Sequence, residues 1–87
     1  MKQRLTDQQY VEGLLERDSM ARENIYQHLF PGIAKHVLMH GGTQEDAEDV
    51  FQEALLVLYR KAKVNRLILS SSFYTFFHAV SKRIWLK

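Results

Sequence analysis

Two histidines one helical turn apart, His36 and His40, have a spacing that lets two imidazoles share a metal ion. No glutamate stands beside them in a His-Glu-x-x-His arrangement, and no third ligand is evident, although His28 lies two turns earlier on roughly the same side. The set is incomplete, so the expected role is that of cationic side chains near a helix C-terminus, and no metal site is assigned. The ten carboxylates form close pairs, such as Glu45 with Asp49 and Glu48 with Asp49, that read as solvated and not as a buried catalytic dyad. Ser70, Ser71 and Ser72 have no associated base and no nucleophile-elbow glycines, which makes helix capping their expected role. Gly41-Gly42 lacks the rest of any phosphate-cradling loop. There is no Cys, hence no disulfide and no thiolate site. No catalytic residue and no cofactor is expected.

Binding is a better fit to the charges. Residues 1–59 carry ten acids and five bases, a formal −5, whereas residues 60–87 carry seven bases and no acid, a formal +7. The net +2 therefore hides an acidic body and a basic tail. That tail interleaves Phe73, Tyr74, Phe76, Phe77 and Trp85 with its cations. Such a stretch suits a polyanion with stackable bases; it also suits a solvated basic face around an aromatic core stripe.

Elements must hold these groups. Eighty-seven residues make one small domain, and a chain this short buries only roughly 60–65% of its unfolded surface. One Pro and four Gly leave little room for the turns of an all-β fold. The N-terminus has no apolar segment of signal-peptide type, and the longest apolar run, Ala54 to Tyr59, is far too short to span a bilayer. A soluble cytoplasmic protein with no membrane partner is expected.

Thr6 and Gln9 form a capping box that opens a first helix, marked by Tyr10, Val11, Leu14 and Leu15 and ending near Arg17. Asp18-Ser19 caps a long second helix carrying Met20, Ile25, Leu29, Ile33, Val37 and Leu38, with a kink expected near Leu29–Phe30 because Pro31 lies inside it. Gly41-Gly42 supplies the left-handed residue that stops it. Thr43 opens a third helix whose first two turns carry Glu45, Asp46, Glu48 and Asp49, complementing the positive helix N-terminus. Its inner face is Ala47, Val50, Phe51, Ala54, Leu55, Val57 and Leu58, and Arg60, Lys61 and Lys63 stand at its C-terminal end. Val64 to Ser71 reads as a connection, with Leu67-Ile68-Leu69 a short extended piece or a lid on the core. The serines cap a fourth helix with Phe73, Phe76, Phe77, Val80 and Ile84 on one face. Four helices and no strand predict an all-α fold with a core of Leu14, Leu29, Val50, Phe51, Ala54, Leu58, Phe73, Phe77 and Val80.

The third helix has an outer face as well. Glu45, Asp49, Gln52, Glu53, Leu56 and Arg60 recur at three- and four-residue spacing and share one side. An acidic and amide surface with an outward Leu reads either as a docking stripe or as a solvated face.

The run Asp46-Ala47-Glu48-Asp49-Val50-Phe51-Gln52-Glu53-Ala54 resembles the second conserved region of bacterial sigma factors. The likeness is greatest to the extracytoplasmic-function group, where Asp-Ala-Glu-Asp followed by Val/Leu-x-Gln-Glu is a hallmark. The remainder agrees in order from about Tyr10 onward: an early helix, a long helix with a mid-length proline, Gly-Gly, the acidic helix, a basic connection and an aromatic helix. Phe73 to Lys82 has that last helix's form, Phe-x-x-aromatic-apolar-x-x-apolar-x-basic. The resemblance implies a four-helix domain that docks on the clamp coiled coil of the RNA polymerase β′ subunit. By motif match Asp49, Gln52 and Glu53 would touch that coiled coil, with Leu56 beside them.

The resemblance also implies that the basic half binds the promoter −10 element and holds it open as a single strand. The connection Lys63 to Ser72 matches the loop that captures a flipped base, which brings in Lys63, Asn65, Arg66, Ser70, Ser71 and Ser72 as candidates, with Arg60 just before it. Tyr74, Thr75, His78 and Lys82 lie off the core stripe of the next helix and complete the set with Arg83. Cations neutralise phosphates, and an aromatic or polar pocket holds an unstacked base. The chain departs from the pattern where Lys82-Arg83 stands in place of a common Arg-Asn, and where Leu67-Ile68-Leu69 makes the loop more apolar. A second, −35-reading helix-turn-helix domain is absent from these residues, so a fragment of a longer protein is expected. An anti-sigma factor is a further partner that the resemblance admits. Two other readings stay open: a helical adaptor whose Leu56 stripe binds a partner helix, and a free-standing domain reading a DNA duplex.

Overall fold

The computed structural model describes residues 5–65 and 72–86, excluding the side chains of Val64 and Asn65. Within them the chain forms four helices: α1 (Asp7–Glu16), α2 (Ser19–Met39), α3 (Gln44–Asn65) and α4 (Phe73–Trp85). The expected all-α fold is present. Arg66 and the Leu67-Ile68-Leu69 triplet, read as a short extended piece or a lid, lie outside the described residues.

Local chemistry sets most helix ends. Thr6 Oγ1 accepts from the Gln9 amide at 3.1 Å while Gln9 Oε1 accepts from the Thr6 amide at 2.9 Å, the reciprocal box read from the sequence. The chain leaves α1 through Arg17, whose φ of 55° is left-handed, as the Asp18 amide reaches Gly13 O and the Arg17 amide reaches Leu14 O. Asp18 Oδ1 then caps α2 by accepting from the Met20 amide at 3.0 Å. Helix α2 continues unbroken through Pro31, whose ring is exposed. It stops at Gly41, with φ 87°, where the Gly42 amide returns to Val37 O at 2.9 Å. Thr43 and Asp46 cap α3 reciprocally, with Asp in the role that Glu or Gln usually takes. No breaker follows Lys63, and α3 runs on through Val64 and Asn65, two residues further than the connection read from the sequence. Ser72 Oγ accepts from the Thr75 amide at 3.1 Å and opens α4.

The core lies where all four helices meet. Tyr10, Ile25, Leu29, Ile33, Val37, Phe51, Leu58, Phe73 and Phe77 are fully buried. Tyr10 stacks on Phe73 at 4.7 Å, and its hydroxyl donates to Asn24 Oδ1 at 2.6 Å, which satisfies two polar groups inside the core. Phe51 meets Tyr26 and Phe30 edge-on and leans on Phe77 at 5.4 Å, so one ring joins α2, α3 and α4. A Cβ on Gly13 would collide with Ala21 Cβ, and this small pair lets α1 and α2 approach closely. Of the expected core, Val80 is only half-buried. Leu15, Met20 and Leu38, which mark the helical period but lie outside the expected core, are exposed, because each helix buries a narrower stripe than its apolar residues would allow. No helix among the described residues is long and apolar enough to cross a membrane.

Candidate functional site

Helix α3 separates its two faces cleanly. Ala47, Val50, Phe51, Ala54, Leu55 and Leu58 are buried, whereas Glu45, Asp49, Gln52, Glu53, Leu56 and Arg60 are all exposed. Leu56 keeps 52% of its surface open. The outer stripe is thus one continuous surface, but it is not uniform. Adjacent helical residues point about 100° apart, and Gln52 and Glu53 lean to opposite flanks.

On the Gln52 flank the surface is tied to α2. Arg22 Nη2 donates to Gln52 Oε1 at 3.0 Å, and the Tyr26 hydroxyl donates to Glu48 Oε2 at 2.8 Å. That hydrogen bond, followed by partial desolvation and the Glu48 charge, raises the Tyr26 pKa above 10.0. Beside it a groove of about 260 Å³ runs between α1, α2 and α3. Its apolar floor includes Leu14, Ile25 and Leu55, and its rim includes Arg17, Arg22, Gln52 and Leu56. Arg17 is held over the Tyr59 ring at 5.0 Å. On the other flank Glu53 lines a groove of about 320 Å³ between α3 and α4, together with Val57, Lys61, Phe76, Val80 and Arg83.

The basic candidates spread over two helices. Arg60 and Lys63 are exposed on the last turns of α3, with Lys63 Nζ 5.9 Å from the Tyr59 ring centroid. Tyr74, Thr75, Lys82 and Arg83 are exposed on α4. Ser72 is committed to capping, and its hydroxyl also donates to Thr75 Oγ1 at 3.0 Å. His78 differs from the expectation of an outward reader: it is half-buried, its ring lies on Tyr74 at 4.4 Å, and Gly32 of α2 backs it. Asn65 ends α3, and its side chain lies outside the described residues, as do Arg66, Ser70 and Ser71. The loop half of the candidate site is therefore not placed.

Several pairings have no signal in the sequence. Asp7 Oδ1 accepts from the Phe73 amide at 2.9 Å, placing a carboxylate from α1 at the positive end of α4 across 66 residues. Arg22 and Gln52 are 30 residues apart, and no local pattern announces their bond. His40 Nδ1 donates to His36 O at 2.7 Å, which seats this ring at the carbonyl end of α2. No group of three or more potential metal ligands occurs among the described residues.

A scan against protein-family models and searches of curated proteins and of solved structures find no match to this chain.

Proposed function

We propose that this chain is a sigma-factor-like module that docks on the β′ clamp coiled coil of RNA polymerase and binds the −10 element of a promoter as an opened single strand. It would direct initiation without doing chemistry itself and would work in the cytoplasm. The observation that carries the reading is the coincidence of the family-like motif with an exposed stripe. Asp49, Gln52, Glu53 and Leu56 all face outward while Ala47, Val50, Phe51 and Ala54 of the same run are buried. The acid-free basic half supports the second role, with Arg60, Lys63, Lys82 and Arg83 exposed around the aromatic helix. An anti-sigma factor covering the α3 stripe is the further partner this reading admits.

The groove beside Leu56 favours a second reading, a helical adaptor that seats an apolar side chain of a partner between Arg17 and Arg22. The two readings part on polyanions: adaptor binding is indifferent to DNA, whereas the sigma reading needs polymerase and promoter together.

The test of docking is a titration against a β′ coiled-coil fragment. Replacing Gln52 and Glu53 together by Ala leaves helix content intact, since Ala is at least as good a helix former. It weakens binding by roughly 1–3 kcal/mol, the scale of a few interface side chains. Unchanged affinity would move the docking face elsewhere.

A further inference from the structure

Helices α2 and α4 meet along two matched rows. On α2, His28, Gly32 and His36 recur every four residues, with His40 next in the series at the helix C-cap; on α4, Tyr74, His78 and Lys82 do the same. A Cβ on Gly32 would lie 2.6 Å from His78 Cε1 and 3.4 Å from the Tyr74 hydroxyl, while one on Gly42 would lie 2.7 Å from Trp85. The two helices therefore run in the same direction along this seam, which sets His36 opposite the stretch between His78 and Lys82.

His36 Nε2 and His78 Nε2 are both buried and have no hydrogen-bond partner. A neutral imidazole can leave one nitrogen unused at modest cost. An imidazolium carries a donor on each nitrogen, and a buried N–H⁺ without an acceptor is far costlier. The charges acting on the two rings are cationic: His40 and Lys82 on His36, and Lys82 and His36 on His78. The His36 and His40 rings lie 4.3 Å apart, and Tyr74 covers His78. The charged α3 residues that face α4, Glu53 and Lys61, line the groove with Phe76, Val80 and Arg83, on another flank of that helix.

We infer that the α2–α4 seam is an acid-sensitive joint, in which protonation of His36 and His78 loosens the attachment of α4. It stands independently of any role in transcription. Burial first, and the neighbouring cations second, hold both pKa values below the ordinary 6.5. The unfolded chain therefore takes up protons at higher pH than the folded one. The stabilisation is complete above 6.5 and is lost as pH falls from there through the lowered folded values.

The test is thermal unfolding of the whole chain at a series of pH values from about 8 to about 5.5, a window in which histidines titrate and most carboxylates stay ionised. Trp85, the one tryptophan, reports on the seam, and far-ultraviolet circular dichroism reports on the helices. The midpoint is expected to fall by roughly 4–10 °C across the window. In a His36→Gln/His78→Gln chain that fall is expected to shrink to less than about half. A flat wild-type profile, or an equal fall in the double variant, would overturn the joint. Histidine Cε1 proton resonances of the wild-type chain give a second measurement that does not depend on the variant folding. The His36 and His78 resonances are expected to titrate below 6.5; titration of both at or above it would refute the inference.

Discussion

Helix α2 packs one flank on α3 and another on α4, and the two seams treat polar groups in opposite ways. Against α3, the Arg22 guanidinium meets Gln52, the Tyr26 hydroxyl meets Glu48, and Tyr26 and Phe30 meet Phe51 at right angles. Against α4, two imidazole nitrogens are buried without partners beside a lysine. One small domain thereby holds one outer surface fixed and leaves another responsive. The α3 stripe is braced by complementary donors and acceptors. The position of α4, which carries Tyr74, Thr75 and Lys82, depends on two rings staying neutral.

The largest expected effect removes what the seams share. Phe51 touches Tyr26 and Phe30 on one side and Phe77 on the other. Phe51→Ala and Phe77→Ala should each cost roughly 3–5 kcal/mol in chemical denaturation, as truncations of fully buried rings. A drop under about 1 kcal/mol for either would remove that ring from the core and dissolve the distinction between the seams.

Gly32→Ala acts on the α4 seam alone. Ala favours the helix by roughly 1 kcal/mol, but its Cβ displaces the tip of the His78 ring. The two effects should leave net stability within about 1 kcal/mol of wild type. The acid-dependent fall in midpoint should shrink, because the displaced ring gains water partners. A full acid-dependent fall in this variant would separate the acid response from His78. The smallest effect sharpens the other seam. Glu48→Gln removes both the charged acceptor and the negative charge that raise the Tyr26 pKa, so an ultraviolet titration should show this phenol ionising at lower pH, nearer 10.0. An unchanged titration would show that Tyr26 and Glu48 do not engage in solution.

The sequence announces those features that depend on residues within about four positions. Thr6 with Gln9, Thr43 with Asp46, Ser72, and the left-handed Gly41 set helix ends through interactions of that range. The three- and four-residue recurrence of Val50, Phe51, Ala54 and Leu58 likewise announces the inner face of α3, and with it the outer one. What stays hidden depends on how helices pair. The Asp7 cap on α4, the Tyr10–Asn24 bond and the Arg22–Gln52 bond each join distant residues. Ser81 reads as polar yet is buried, its hydroxyl returned to Phe77 O at 2.9 Å. His78 reads as an outward polar residue, and only the glycine at position 32 makes room for it inside the seam. Of the basic-half candidates, Arg60, Lys63, Tyr74, Thr75, Lys82 and Arg83 stand on exposed helix surface, Lys63 within α3 and not in the loop matched to it.

The proposed role requires both halves at once, and a three-component binding experiment tests it most directly. Single-stranded DNA carrying candidate −10 sequences is titrated with this chain in the presence and absence of core RNA polymerase, over a range of salt. The account predicts sequence-selective capture that requires polymerase. It also predicts a salt slope shallower by roughly 0.7 for each phosphate left without its cation when Lys63 or Lys82 is replaced by Ala. Capture that is equal without polymerase, or no capture with it, would contradict the sigma-factor reading.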